Sequence, residues 1–385
     1  MGLALRRGLL DRQPVGHGPG DGDPEGAGHR QLPGRVPGRA HAGARLGRVL
    51  APARERLRAG DPPPGRGRGG EHGRVGSRRR RGPARGEEDR RRPAVRAAGD
   101  GGEPRRVVVT GASGQLGSAL VALWPRPDHV VPLDRARLDV TDGEAVARLL
   151  DELRPDAVLN AAAFNDVDRA QSEPREALHV NALAVGALAG ACDAAGATLV
   201  HFSSDFVFDG TKETPYTEED EPNPLGVYGA SKLRGERLAL ASPRAFVLRV
   251  ESLFGGPHPK GSVDRILASL KQALPVRVFA DRTVSPTYVP DLVALVARLL
   301  DGAAPPGLYH AAGEGETTWQ GLAEEAARLL GVQPRLLPLR LDEAGLTAPR
   351  PLRCALDPAR LRALGLAPPS WRDALRRELC PGERG

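Results

Sequence analysis

Tyr228 and Lys232 lie four residues apart in the run Tyr-Gly-Ala-Ser-Lys. On a helix that spacing puts a phenol and an ammonium on one face. A free tyrosine has a pKa near ~10 and transfers protons poorly at neutral pH. A neighbouring ammonium stabilises the phenolate and draws that value toward working pH. The chain has only four tyrosines and four lysines in 385 residues. A Tyr-x-x-x-Lys is therefore expected by chance roughly 0.04 times. The bland alternative is an exposed pair on a helix surface.

A second constellation is Gly111-Ala-Ser-Gly114-Gln115-Leu116-Gly117, directly after Val107-Val108-Val109-Thr110. A strand entering such a turn and leaving as a helix aims backbone N–H groups and the positive helix end at a pyrophosphate. Glycine is needed because the turn is tight and a Cβ would keep phosphates away. With 48 glycines in the chain, the strand–turn–helix context carries the signal rather than the spacing alone. Two further strand ends carry polar or small residues. His201-Phe202-Ser203-Ser204-Asp205 offers a hydroxyl that could bond a carbonyl oxygen as charge develops on it, although serines there are also ordinary turn residues. Asn160-Ala161-Ala162-Ala163 is small enough for a ribose to lie against the backbone, or simply packs closely.

These residues need a scaffold, and the pattern supplies one. Strands are expected at Val107–Thr110, Val130–Leu133, Ala157–Asn160 and Thr198–Phe202. Helices are expected at Ser118–Trp124, Thr141–Leu153 and in one long stretch over Glu176–Ala195. Strand and helix in alternation predict a parallel α/β sheet. Beyond about Arg249 the alternation loosens, with helices near 290–300, 318–330 and 371–379, as in a smaller lobe.

Charge divides the chain sharply. Residues 1–104 hold 23 Arg, no Lys and 12 acids, while the rest carries a net charge of −4. That tract has 24 Gly, 12 Pro and no aromatic residue or Ile, so it cannot build a core and is expected to be disordered. Nucleic acid is expected as a partner only through residues 1–104, around Arg78-Arg79-Arg80-Arg81. A tract without selected function is the favoured reading, because it lacks aromatics for base stacking. Cys192, Cys354 and Cys380 are widely spaced with no CxxC pair, which argues against a zinc ribbon or disulfide framework and fits a cytoplasmic location. The start lacks an uninterrupted apolar segment, and no apolar run approaches membrane length, so neither a secretory signal nor a membrane span is expected.

Together the motifs resemble the extended short-chain dehydrogenases, and within them the dTDP-4-dehydrorhamnose reductase family. The likeness runs from about Arg106 to about Leu379. It includes the glycine turn, Leu138-Asp139-Val140-Thr141-Asp142, Asn160 to Asp168, Ser203 to Gly210, Tyr216 to Glu236, Ser285-Pro286-Thr287 and Arg350-Pro351. The resemblance implies a Rossmann-like doubly wound parallel sheet with a smaller C-terminal substrate-binding lobe, preceded by the disordered tract. The corresponding divisions are 1–104, an NAD(P)-binding domain over 105–250, and 251–385 as mainly substrate-binding lobe with returning segments of the core. It also implies that hydride passes from a reduced nicotinamide to the 4-keto carbon of a nucleotide-linked deoxysugar, dTDP-4-dehydro-L-rhamnose in the family's usual reaction.

By the same resemblance Ser204, Tyr228 and Lys232 are the catalytic residues: Ser204 binds the carbonyl, Tyr228 protonates the alkoxide, and Lys232 tunes Tyr228 and holds the nicotinamide ribose. Gly111, Gly114, Gln115, Leu116 and Gly117 take the cofactor phosphates, Asp139 and Val140 flank adenine, and Ala161, Ala162 and Ala163 lie along the cofactor. Asn165 and Val167 fall where the family touches substrate. No metal-ligand cluster is expected. Departures from the family pattern are Ser204 for Thr, Phe206 for Tyr, Ser252 for Trp, Arg282 for Gln and Val284 for Gly, all on the substrate side. A reductase for another sugar nucleotide, or a non-catalytic regulatory homologue, is the alternative. After the second strand, Asp134 would favour the free ribose 2′-hydroxyl of NAD(H) and Arg135 the 2′-phosphate of NADP(H). NADP(H) is favoured, with NAD(H) as the alternative and a homodimer as the expected assembly.

Overall fold

The computed structural model describes residues 104–382. The expectation of disorder for the N-terminal tract lies outside the described residues. Its elements in chain order are β1 (Arg106–Thr110), α1 (Gln115–Ala122), β2 (His129–Leu133), α2 (Gly143–Leu153), β3 (Ala157–Asn160), α3 (Val167–Ser172), α4 (Pro174–Leu178) and α5 (Ala184–Ala195). Then come β4 (Thr198–Ser204), α6 (Val227–Ala239), β5 (Ala245–Val250), α7 (Ser262–Lys271), β6 (Val276–Phe279), β7 (Thr283–Val284) and α8 (Val289–Leu300). The chain closes with β8 (Gly307–His310), β9 (Thr317–Thr318), α9 (Trp319–Leu330), β10 (Leu336–Leu339), α10 (Ala359–Ala363) and α11 (Trp371–Leu379).

Six strands form one parallel sheet in the order β2-β1-β3-β4-β5-β8. The chain runs one way from β1 to β2 and the other way from β1 to β3, so the order reverses beside β1, where open α/β sheets bind ligands. Every residue of β4 and of β5 is buried, so their apolar residues occur at successive rather than alternate positions. One face packs on α1 and α8 through Leu120, Leu248, Leu292 and Val296. The other packs on α2 and α5 through Val108, Val146, Leu150 and Leu188. Another core gathers α7, β6, α9 and α11 around Phe254, Leu270, Leu322 and Trp371.

Three helices differ from expectation: α1 runs over Gln115–Ala122 rather than Ser118–Trp124, because the glycine turn enters the helix directly at its Gly114 cap. Helix α2 starts at Gly143, because the Asp142 carboxylate, not Thr141, caps it by accepting from the Ala145 N–H. The expected long helix begins earlier, at Pro174, and is interrupted by a π-helical turn over His179–Leu183. There Asn181 turns inward; its Nδ2 donates to the Phe164 carbonyl and to Ser231 Oγ at 3.0 Å each. Taken whole, Pro174–Ala195 is long and apolar enough to cross a membrane, against the sequence expectation. Its inner face, Ala184, Val185, Leu188, Ala189 and Cys192, is instead part of the sheet core.

Candidate active site

A cavity of about 740 Å³ opens at the carboxyl ends of the strands and runs from the glycine turn to the second core. At one end lie Gly114, Gln115 and Leu116. Gly111 adopts φ +65°, and a Cβ on it would come 2.6 Å from the Ala162 nitrogen. A Cβ on Gly117 would fall 2.1 Å from the Gly111 carbonyl oxygen. These two glycines therefore let the turn fold onto itself and onto β3, while Gly114 faces the cavity. Gly114 caps α1 without any side-chain bond, which leaves first-turn N–H groups to an anion. That donor set fits the pyrophosphate of a dinucleotide.

Asn160, Ala161, Ala163, Asn165 and Val167 line the middle of the cavity, and Ser204, Tyr228 and Lys232 its centre. The sequence-predicted residues thus converge, with exceptions. Ala162 lies behind the wall, with its nitrogen against Gly111. Val140 is buried in the core under β1 and β2. Asp139 is outside the cavity lining; its carboxylate accepts from the Thr141 hydroxyl at 2.7 Å and N–H at 3.0 Å, which holds its pKa below the usual range.

The proton-handling groups are arranged differently from the simple expectation. Tyr228 is buried, its ring edge-on to Phe206 at 5.4 Å, and its hydroxyl donates to Asn165 Oδ1 at 3.5 Å. Burial pushes the phenol well above its ordinary pKa, the Asp205 charge adds to this, and the Ser204 hydroxyl opposes it. Lys232, also buried, donates from Nζ to the Phe202 carbonyl oxygen at 2.6 Å. Burial brings its pKa down to about 8, with Glu236 one turn along α6 opposing. The expected lowering of Tyr228 by Lys232 is therefore not what this arrangement produces: burial governs both groups and drives each toward its neutral form.

Four residues that sequence reasoning did not assign to the site meet behind Ser204. Ser204 Oγ donates to Asp205 Oδ1 at 2.7 Å. Asp205 Oδ2 lies 3.6 Å from the Arg282 guanidinium, which donates to Cys354 Sγ at 3.3 Å and to the Pro351 carbonyl at 3.1 Å. Cys354 in turn donates to Glu251 Oε1 at 3.2 Å. Burial raises the pKa of both carboxyls, and that of Glu251 is raised further by the Asp205 charge. Ligand atoms of Asp205, Glu251 and Cys354 lie within 4.8 Å of one another, a metal-like grouping the sequence did not reveal. Arg282 already provides a cation against it. Only Asp205 and Arg282 stood out in sequence, one inside the Ser-Ser-Asp run and one as a departure; Glu251 and Cys354 carry no local signal and meet through tertiary folding. Ser252, next to Glu251, lines the same cavity with φ +47°, a left-handed conformation uncommon outside glycine.

Residues 105–381 match the RmlD substrate binding domain family. A dTDP-4-dehydrorhamnose reductase of Streptomyces griseus is 41% identical over 281 residues, covering 70% of this chain and 91% of that protein. The structure of dTDP-4-dehydrorhamnose reductase from Bacillus anthracis in complex with NADP superposes with a TM-score of 0.68 at 33% identity, over 72% of this chain and 99% of that one. UDP-glucose 4-epimerase of Thermus thermophilus in complex with NAD gives a TM-score of 0.61 at 25% identity, over 71% and 97%. With the glycine turn, the serine and the Tyr–Lys pair on one cavity, and likeness of this extent, the chain belongs to the RmlD family, that of the NAD(P)-dependent dTDP-4-dehydrorhamnose reductases.

Proposed function

We propose that the protein reduces the 4-keto group of a dTDP-linked deoxysugar, dTDP-4-dehydro-L-rhamnose, using NADPH in preference to NADH. The observation that carries this reading is the meeting of Ser204, Tyr228 and Lys232 on the cavity that begins at the glycine turn. The turn at Gly111–Gly117 and the wall at Ala161 and Ala163 would hold the dinucleotide, whose nicotinamide supplies hydride to the keto carbon. Tyr228 gives its proton to the keto oxygen. Its raised pKa keeps the phenol protonated through the neutral range, the form a reduction requires. Asn165 accepts from the phenol and orients it. Ser204, whose hydroxyl donates to Asp205 Oδ1 beside it, lies on the cavity where that hydroxyl can turn to the substrate carbonyl oxygen. Lys232 bonds the Phe202 carbonyl near the end of β4, which ties α6 to the strand that carries Ser204, and lines the same cavity as Tyr228.

The second core supplies the sugar-nucleotide side, where Phe206, Ser252 and Arg282 depart from the family pattern. These three favour a different deoxysugar as the second reading. The same proposal includes a cytoplasmic homodimer; exposed Leu178 and Leu183 beside the π turn are apolar surface suited to a partner copy.

The test is loss of reduced-nicotinamide absorbance when the full chain is mixed with dTDP-4-dehydro-L-rhamnose and NADPH or NADH. Turnover is expected with the parent. Tyr228→Phe should lower kcat by about 10²–10⁴-fold with NADPH affinity nearly unchanged. Turnover that survives Tyr228→Phe would overturn the mechanism, and turnover only with another sugar nucleotide would favour the second reading.

A further inference from the structure

Gln115 opens α1 and belongs by position to the phosphate turn, yet its side chain is engaged elsewhere. Nε2 donates to Asp264 Oδ2 at 2.8 Å and to the Gly255 carbonyl oxygen at 3.3 Å. Oε1 accepts from the Lys260 N–H at 3.3 Å. Asp264 can only accept when ionised, so the amide must turn its nitrogen to it, and both amide hydrogens are then used. The side chain keeps no donor for a phosphate. Only the backbone of Gln115 remains for that role.

Asp264 is 9% exposed and completes the arrangement. Its carboxylate accepts from the Gly255 and Gly261 N–H groups at 2.8 Å each, fixing both ends of Gly-Gly-Pro-His-Pro-Lys-Gly. That segment joins two parts of the cavity wall, Ser252 and Leu253 before it and Ser262, Arg265 and Ile266 after it. A single hydrogen-bonded cluster therefore connects the turn under the cofactor phosphates to the wall on the sugar side.

We propose that Gln115 is a positioning residue, a latch through which the phosphate turn sets the 252–266 wall against the sugar nucleotide. The proposal rests on the reading of the cavity as a nicotinamide and sugar-nucleotide site. Seating NADPH on the turn then also seats the wall, so the sugar nucleotide meets a formed site only after the cofactor. Losing the latch weakens sugar-nucleotide binding while the backbone still holds NADPH.

Gln115→Met keeps the length of the side chain and removes its three hydrogen bonds; Gln115→Glu sets a second carboxylate against Asp264. Each is made in the full chain and checked for a cooperative melting transition. Lys260 is exposed, so trypsin cleavage between Lys260 and Gly261, followed by mass spectrometry, reports on the segment without any sugar substrate. NADPH should slow that cut several-fold in the parent and not in Gln115→Met. The KM for dTDP-4-dehydro-L-rhamnose should rise about tenfold in Gln115→Met and further in Gln115→Glu. In Gln115→Met, the NADPH Kd should rise by a smaller factor than the sugar-nucleotide KM. If Gln115→Met instead weakens NADPH by as much as it raises the sugar-nucleotide KM, or retains NADPH protection at Lys260, the latch is wrong. If the parent protects Lys260 on binding NADPH but does not reduce this sugar, the functional reading fails and the latch stands.

Discussion

Tyr228 and Lys232 are pushed in opposite directions by the same burial, and this sets the expected pH behaviour. The phenol rises, so it stays protonated well past neutrality, while the ammonium falls to about 8. Above that value the site loses the Lys232 charge first. The rate kcat/KM should therefore decline by about tenfold per pH unit above roughly pH 8, and a profile flat to pH 10 would show that the charge is not needed. The stability sign is opposite. Folding favours the neutral amine, so between about pH 8 and the ordinary lysine value of ~10.4 the unfolded chain binds more protons, and this group's contribution to stability improves as pH rises. Arg135 gives a second prediction at this scale. Its side chain is 80% exposed, whereas the neighbouring Asp134 carboxylate is engaged within its own turn by the Arg137 N–H. Arg135→Ala should raise the NADPH KM by about three- to tenfold, in line with the loss of a charge-assisted hydrogen bond at an exposed site, and leave that for NADH unchanged. Equal effects on both cofactors would show that Arg135 does not meet the 2′-phosphate.

Among the elements, α6 has the strictest requirements, because it must bring two reacting side chains to one point. It lies so close to the π turn that a Cβ on Gly235 would come 2.1 Å from the Asn181 carbonyl oxygen. It is fixed to β5 by a buried ion pair in which Arg249 donates to both Glu236 oxygens at 2.8 and 2.7 Å, each residue 2% exposed or less. Arg249→Met should destabilise the protein by about 3–5 kcal/mol, since it strands a buried carboxylate. Adding Glu236→Met should recover much of that loss. Chemical denaturation of the two variants checks this, and a single variant within 1 kcal/mol of the parent would count against it. The sequence revealed α6 through the Tyr–Lys spacing and β1 to β4 through their short apolar runs, since both signals are local, but not β5 or β8, which complete the sheet. It did not reveal the π turn or the Glu236–Arg249 pair. Asn181 leaves the helical pattern only because Phe164 and Ser231 offer it partners, and Glu236 and Arg249 look like ordinary surface charges until the sheet is built.

At the scale of the molecule the same contrast holds. The glycine turn, Ser204, Tyr228 and Lys232 are legible because each sits at the end of a locally recognisable strand or the start of a helix. The cluster of Asp205, Glu251, Arg282 and Cys354 is not, because its members come from four separate stretches that only tertiary packing joins. The N-terminal tract is distinguished by composition and charge alone, with a net of +11 over residues 1–104 against −4 for the remainder. The match to the Streptomyces griseus reductase covers 91% of that protein with 70% of this chain, and the family match begins at residue 105. The catalytic part therefore has a counterpart for nearly all of a relative's length without drawing on the tract. Removal of residues 1–103 should leave kcat and both KM values within twofold of the full chain at physiological salt. The informative comparison is at low ionic strength, where a tract of this charge could attract an anionic sugar nucleotide over a Debye length of roughly 30 Å at 0.01 M. A sugar-nucleotide KM that falls in low salt for the full chain but not for the shortened one would show the tract acting as an electrostatic collector. Equal salt dependence in the two would show that catalysis makes no use of it.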